Sequence, residues 1–86
     1  MSSTFRLYPI PLRARKRLRR ERNRRGWPLT TVAQKLGVTP EQISRLETGV
    51  RGIESRELSR WARVLGLEAT IKEASVTLIK MEELIA

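Results

Sequence analysis

Apolar residues come along this chain in short groups at helical spacing, and a glycine closes each group. Leu12, Ala14 and Leu18 share one side of a first segment that Pro11 can open and Gly26 stops. Trp27, Val32, Ala33 and Leu36 make a second, ending at Gly37 as a left-handed cap. The third, "TPEQISRLETG", is too short to be stable alone in water. Thr39 is a good N-cap there, Pro40 suits the first helical position and Gln42 completes a Thr-x-x-Gln capping box. Ile43 and Leu46 point one way; Glu41, Ser44, Arg45 and Thr48 point elsewhere. After the basic loop "VRGIES", Ser55 can cap a fourth segment whose stripe is Leu58, Trp61, Ala62 and Leu65, closed by Gly66.

The two ends of the chain break this pattern. Residues 1–11 have turn chemistry ("YPIP") and no helical period, so they read as an arm. Residues 67–86 satisfy two periods at once. Leu67, Ala69, Ile71, Val76, Leu78 and Lys80 alternate as a strand would; Ile71, Ala74, Leu78, Met81 and Ile85 fit a helical stripe. The expected fold is all-α: a compact bundle of four to five helices over 12–67, with a tail over 68–86 that adds a strand or a helix. The tail holds more aliphatic surface than four small helices need. That excess points to a partner surface made of Ile71, Val76, Leu78, Met81 and Ile85, most simply facing a second copy of the chain. The plainer alternative is a last element that packs on its own bundle.

Composition narrows the chemistry. There is no cysteine, histidine or aspartate, and all nine acids are glutamates. This removes disulfides, the commonest general base and nearly every common metal site, so neither an enzyme nor a metal or cofactor is expected. No apolar run approaches the ~20 residues of a membrane span, and the N-terminus has no signal-type core, which reads as cytoplasmic. Charge is the stronger clue. Residues 13–25 carry nine basic side chains against Glu21 alone, a local net of +8 in a chain whose total is +9. Residues 67–86 carry two lysines against four glutamates. A polyanion should sit at the basic pole, with nucleic acid the default.

Two helices joined by the tight "LGVT" turn, behind an arginine-rich helix, have the layout of a helix-turn-helix. The blocks "RERNRRGW", "TVAQKLGV", "ISRLETG" and "LSRWARVLGL" resemble the λ-repressor/Cro (XRE-type) family of DNA-binding domains over about residues 12–67. The resemblance implies double-stranded DNA as partner, a homodimer, and a set of roles. Arg22 and Glu47 correspond to an arginine–glutamate pair that ties helix 1 to the end of the recognition helix. Pro40, Glu41, Gln42, Ser44 and Arg45 stand where family members reach base edges. Arg19, Arg22, Arg24, Lys35, Thr48 and Arg51 stand near phosphates, with Thr30 and Thr31 at the start of helix 2. Two departures matter: Pro40 has no side-chain donor, and Pro28-Leu29 replaces the family's frequent Thr-Gln. Metal and cofactor sites are not implied.

Within that resemblance, "LGLEATIKE" also fits antitoxins of the family, in which a strand after the last helix pairs across a dimer and a toxin is a second partner. RNA binding through residues 13–25 is an alternative of another kind. Against it, the chain has four aromatic residues, and Trp27 and Trp61 look like core rather than base-stacking platforms.

Overall fold

The computed structural model describes residues 9–72 and 75–82. Four helices come first: α1 (Leu12–Arg24), α2 (Leu29–Leu36), α3 (Pro40–Thr48) and α4 (Ser55–Val64). Two strands follow, β1 (Leu67–Lys72) and β2 (Ser75–Lys80), paired antiparallel with Leu67 opposite Lys80 and Lys72 opposite Ser75. The helical core is as expected, but the fold is not all-α.

The helix ends follow from local chemistry. Thr39 Oγ1 accepts from the Gln42 amide at 3.2 Å, and Gln42 Oε1 accepts from the Thr39 amide at 2.9 Å, which closes the capping box of α3. At the other end Gly49 adopts φ +82°. The Val50 amide then donates to the Arg45 carbonyl at 3.0 Å, so the last turn of a nine-residue helix is satisfied at both ends. Gly37, at φ +71°, performs the same turn for α2 and sends Val38 back toward the core. The start of α4 differs from expectation. Glu54 occupies the cap position and Ser55 is the first helical residue, with no side-chain capping bond.

One buried cluster joins all these elements. Leu18 of α1, Val32 and Ala33 of α2, Ile43 and Leu46 of α3, and Leu58, Trp61 and Ala62 of α4 meet within it. Ile10, just ahead of α1, is only 3% exposed, so the core reaches back into the region read from sequence as an arm. The indole N–H of Trp61 is buried without a hydrogen-bond partner among the described residues. Trp27 is only partly buried: it packs on the cluster, with Arg25 and Lys35 each 5.1 Å from its ring centre.

The strand pattern prevails in the tail because an antiparallel register puts all its inner apolar groups on one face. Leu67 and Ala69 pair with Lys80 and Leu78, and Ile71 with Val76, so their side chains share the face turned to the cluster. A helix would have placed Ile71 and Leu78 on that side but turned Val76 away. A two-stranded hairpin is marginal by itself. Here Leu67, fully buried, locks it to α4, and the Met81 amide donates to the Gly66 carbonyl at 3.0 Å to close its open end. Consequently Ile71, Val76 and Leu78, expected on a partner surface, pack against this chain's own core; Met81 is half-buried and Ile85 lies outside the described residues.

Truncating this face tests the assignment. Val76→Ala is expected to cost about 1 kcal/mol, which lowers the melting temperature of a domain this size by about 4–8 °C. The loss should be the same at every protein concentration. A deficit that disappears at high concentration would place Val76 between copies instead.

Candidate nucleic-acid interface

The face of α3 that would meet a ligand is the one its core contacts leave over. Ile43 and Leu46 are buried, which turns Pro40, Glu41, Arg45 and Thr48 outward, with Ser44 half-buried at the margin. Arg45 and Glu41 sit one turn apart, with Nη2 and Oε2 separated by 3.7 Å, and both are well exposed. Such a pair is worth about a few tenths of a kcal/mol, so it does little to fix either side chain. Gln42 is less available. Its amide oxygen is held in the capping box, which leaves its two N–H donors for a ligand. Thr48 donates its hydroxyl proton to the Ser44 carbonyl at 3.0 Å, so toward a phosphate it offers only lone pairs while that bond lasts.

Behind this face lies an enclosed ion pair. Arg22 Nε donates to Glu47 Oε2 at 2.7 Å and Nη2 to Oε1 at 2.9 Å, a two-pronged contact whose side chains are 11% and 6% exposed. Nη1 donates to the Trp27 carbonyl at 2.9 Å. All three nitrogens of Arg22 are thus engaged inside the protein, so the residue positions α3 rather than presenting a free cation to phosphate.

Two further ties have only faint signatures in the sequence. Arg15 Nε donates to the Ile10 carbonyl at 2.9 Å, and Nη1 reaches the Glu47 carbonyl at 3.5 Å. Its guanidinium lies over Gly49, where an added Cβ would come within 2.6 Å of Cζ. A cation is thereby placed at the carbonyl end of α3, where the helix dipole favours it. The second tie is Glu21, 5% exposed and the only buried charged residue among those described. It accepts from Arg24 and from Arg25 Nε at 3.3 Å. These contacts, Arg24's hydrogen bond foremost, outweigh desolvation and hold the Glu21 carboxyl below its ordinary value. The available signal was its spacing from Ala14 and Leu18, which puts the one acid of the basic run on the buried stripe.

The arginines expected at phosphates therefore separate. Arg19 is exposed and carries no described internal bond, Arg22 is enclosed, and Arg24 leans on Glu21. Lys35 is exposed over Trp27, and Arg51 is half-buried in the loop after α3. Thr30 is exposed and Thr31 half-buried at the start of α2, where Pro28 supplies no side-chain cap. The first amides of that helix are left to solvent or to an anion.

The helix-turn-helix family model matches residues 18–71. The chain belongs to this family, of λ-repressor/Cro (XRE) type. It is a family of DNA-binding transcription regulators and generally not of enzymes. Neither a curated protein nor a solved structure matches the chain. Among the described residues no cluster of acidic side chains is arranged to hold a metal, and no helix is long and apolar enough to cross a membrane.

Glu47→Ala is expected to cost about 3–5 kcal/mol, since it strands the enclosed Arg22 guanidinium. Replacing both partners, Arg22→Met with Glu47→Leu, should restore much of that stability. Urea unfolding checks both, and a Glu47→Ala midpoint equal to wild type would remove the pair from its structural role. Glu21 gives a pH signature. Its folded-state pKa is lowered, so its contribution is fully present above the ordinary glutamate value near 4.5 and is lost as pH falls through the lower folded value. Glu21→Gln should therefore be less stable than wild type at neutral pH, with the gap closing below that value. A gap that stays constant down to strongly acidic pH contradicts the assignment.

Proposed function

We propose that this chain is a sequence-specific regulator of transcription, a repressor that binds a partly palindromic operator as a homodimer through the outer face of α3. The observation that carries this reading is the combination of a recognition-length helix fixed at both ends and an outer face free of structural duty. Glu41, Ser44 and Arg45 are then held out toward base edges by Thr39, Gly49 and the Arg22–Glu47 pair. Arg45 reads guanine through its two major-groove acceptors, and Glu41 accepts from a cytosine amino group. Pro40 contributes apolar contact and Gln42 its spare donors. Arg19, Lys35, Thr48, Arg51 and the α2 start around Thr30 and Thr31 set register on the phosphates.

Residues 12–67 form the reading unit, residues 1–11 an arm anchored to it by Ile10 in the core, and residues 68–86 the region that joins copies or takes a protein partner. Because Ile71, Val76 and Leu78 face inward, the joining surface is the outer side and edges of the hairpin. One such unit covers too little DNA for tight selective binding; two, about 34 Å apart, suffice. The working place is the cytoplasm. An antitoxin that represses its own operon and also binds a toxin is the second reading, supported by β1 directly following Gly66.

Selection from a random duplex library at a fixed, stated salt concentration should enrich an inverted repeat with half-sites about one helical turn apart. Arg45→Ala should relax choice at one base pair per half-site, by about 1–3 kcal/mol, while general duplex affinity persists. Strong binding that enriches no sequence would sink the operator reading and favour RNA or nonspecific coating by α1.

A further inference from the structure

The basic residues of α1 divide between two flanks. Arg15 and Arg22 face α3. Arg13, Lys16, Arg17 and Arg20 lie roughly 120–180° around the helix from Arg22, at 100° per residue. These four wall a cleft of about 400 Å³ between α1 and β2, floored by Val76 and Leu78 with Thr77 alongside. None of the four has an ion-pair partner among the described residues. The flank is turned from α3, so a duplex on the reading face does not explain it.

The lining identifies the occupant. A phosphate backbone gains nothing from an aliphatic floor, whereas a chain segment carrying both carboxylates and aliphatic groups uses floor and wall together. The spacing of Arg13, Lys16/Arg17 and Arg20 spreads positive charge over ~10 Å at 1.5 Å per residue, the length of about three extended residues. We infer that the cleft between α1 and β2 is a docking site for an extended acidic segment of a partner protein, in which glutamate or aspartate alternates with aliphatic residues. Its carboxylates meet Arg13, Lys16, Arg17 and Arg20 on one side, and its aliphatic groups rest on Val76 and Leu78 on the other. The site is independent of the DNA-reading face.

The probe is a fluorescein-labelled octapeptide of alternating glutamate and valine, titrated against the full chain at low ionic strength and followed by anisotropy. Saturable binding is expected, at least about tenfold tighter than for octaglutamate. Arg17→Glu/Arg20→Glu should weaken it by at least about tenfold, equivalent to 1.4 kcal/mol, with an unchanged helical circular-dichroism spectrum. If that double reversal unfolds, Arg13→Gln/Arg20→Gln is read in its place, with a loss of about threefold. Equal affinity for octaglutamate, or variants that bind as wild type does, overturns the proposal. So does an equal loss in binding to a mixed-sequence duplex, which makes the cleft a phosphate track. A change of oligomeric state in the variants by sedimentation also overturns it, since the cleft is then a contact between copies.

Discussion

The fold turns on one enclosed ion pair. Arg22 and Glu47 lie twenty-five residues apart in sequence, and their contact fastens the last turn of the arginine-rich helix to the last turn of α3. A nine-residue helix has too few internal bonds to hold its own shape in water, so its geometry is set by what grips it. Ile43 and Leu46 grip it through the core, Thr39 and Gly49 at its ends, and Glu47 through Arg22. The pair also removes one cation from the basic pole by giving it an acid, as Glu21 does for Arg24 and Arg25. The compact state therefore tolerates a run of nine basic residues by neutralising part of it from within and spreading the rest over two flanks of α1.

That division accounts for the two faces of the molecule. On the α3 side, enclosed cations serve geometry and leave the outer side chains of the helix exposed. On the β2 side the cations remain at the surface beside an aliphatic floor. Net charge alone gives no sign of this sorting. Positions on α1 that differ by one or two residues belong to opposite flanks, so Arg15 and Arg17, two apart, meet different parts of the fold.

What could be read from the sequence, and what could not, has physical grounds. Helix ends were legible because their chemistry is local: Thr39 and Gln42 carry their own capping pattern, and Gly37 and Gly49 mark positive φ. The Arg22–Glu47 correspondence came from family resemblance, since no local rule joins residues that far apart. The tail was not legible. Ile71 and Leu78 satisfy both periods, and only packing against α1 and α4 chooses between them, which also turned an expected partner surface inward. Ser55 looked like a cap, yet the helix begins at it, because Glu54 already has the extended backbone of a cap position. Inside a charge run solvated side chains are the rule, so the run itself gives little sign that Glu21 and Arg15 make internal contacts.

Gly49 has an evolutionary consequence. The residue sits on the surface, in a turn that looks free to vary, yet its backbone at φ +82° strains any side chain, and one added there would also displace the Arg15 guanidinium. A few residues earlier, Glu41 and Arg45 are well exposed and touch each other only across 3.7 Å, the kind of surface pair that contributes little to stability. Exposed positions of α3 can thus vary one at a time while the ion pair, the caps and the core contacts that hold the helix stay fixed.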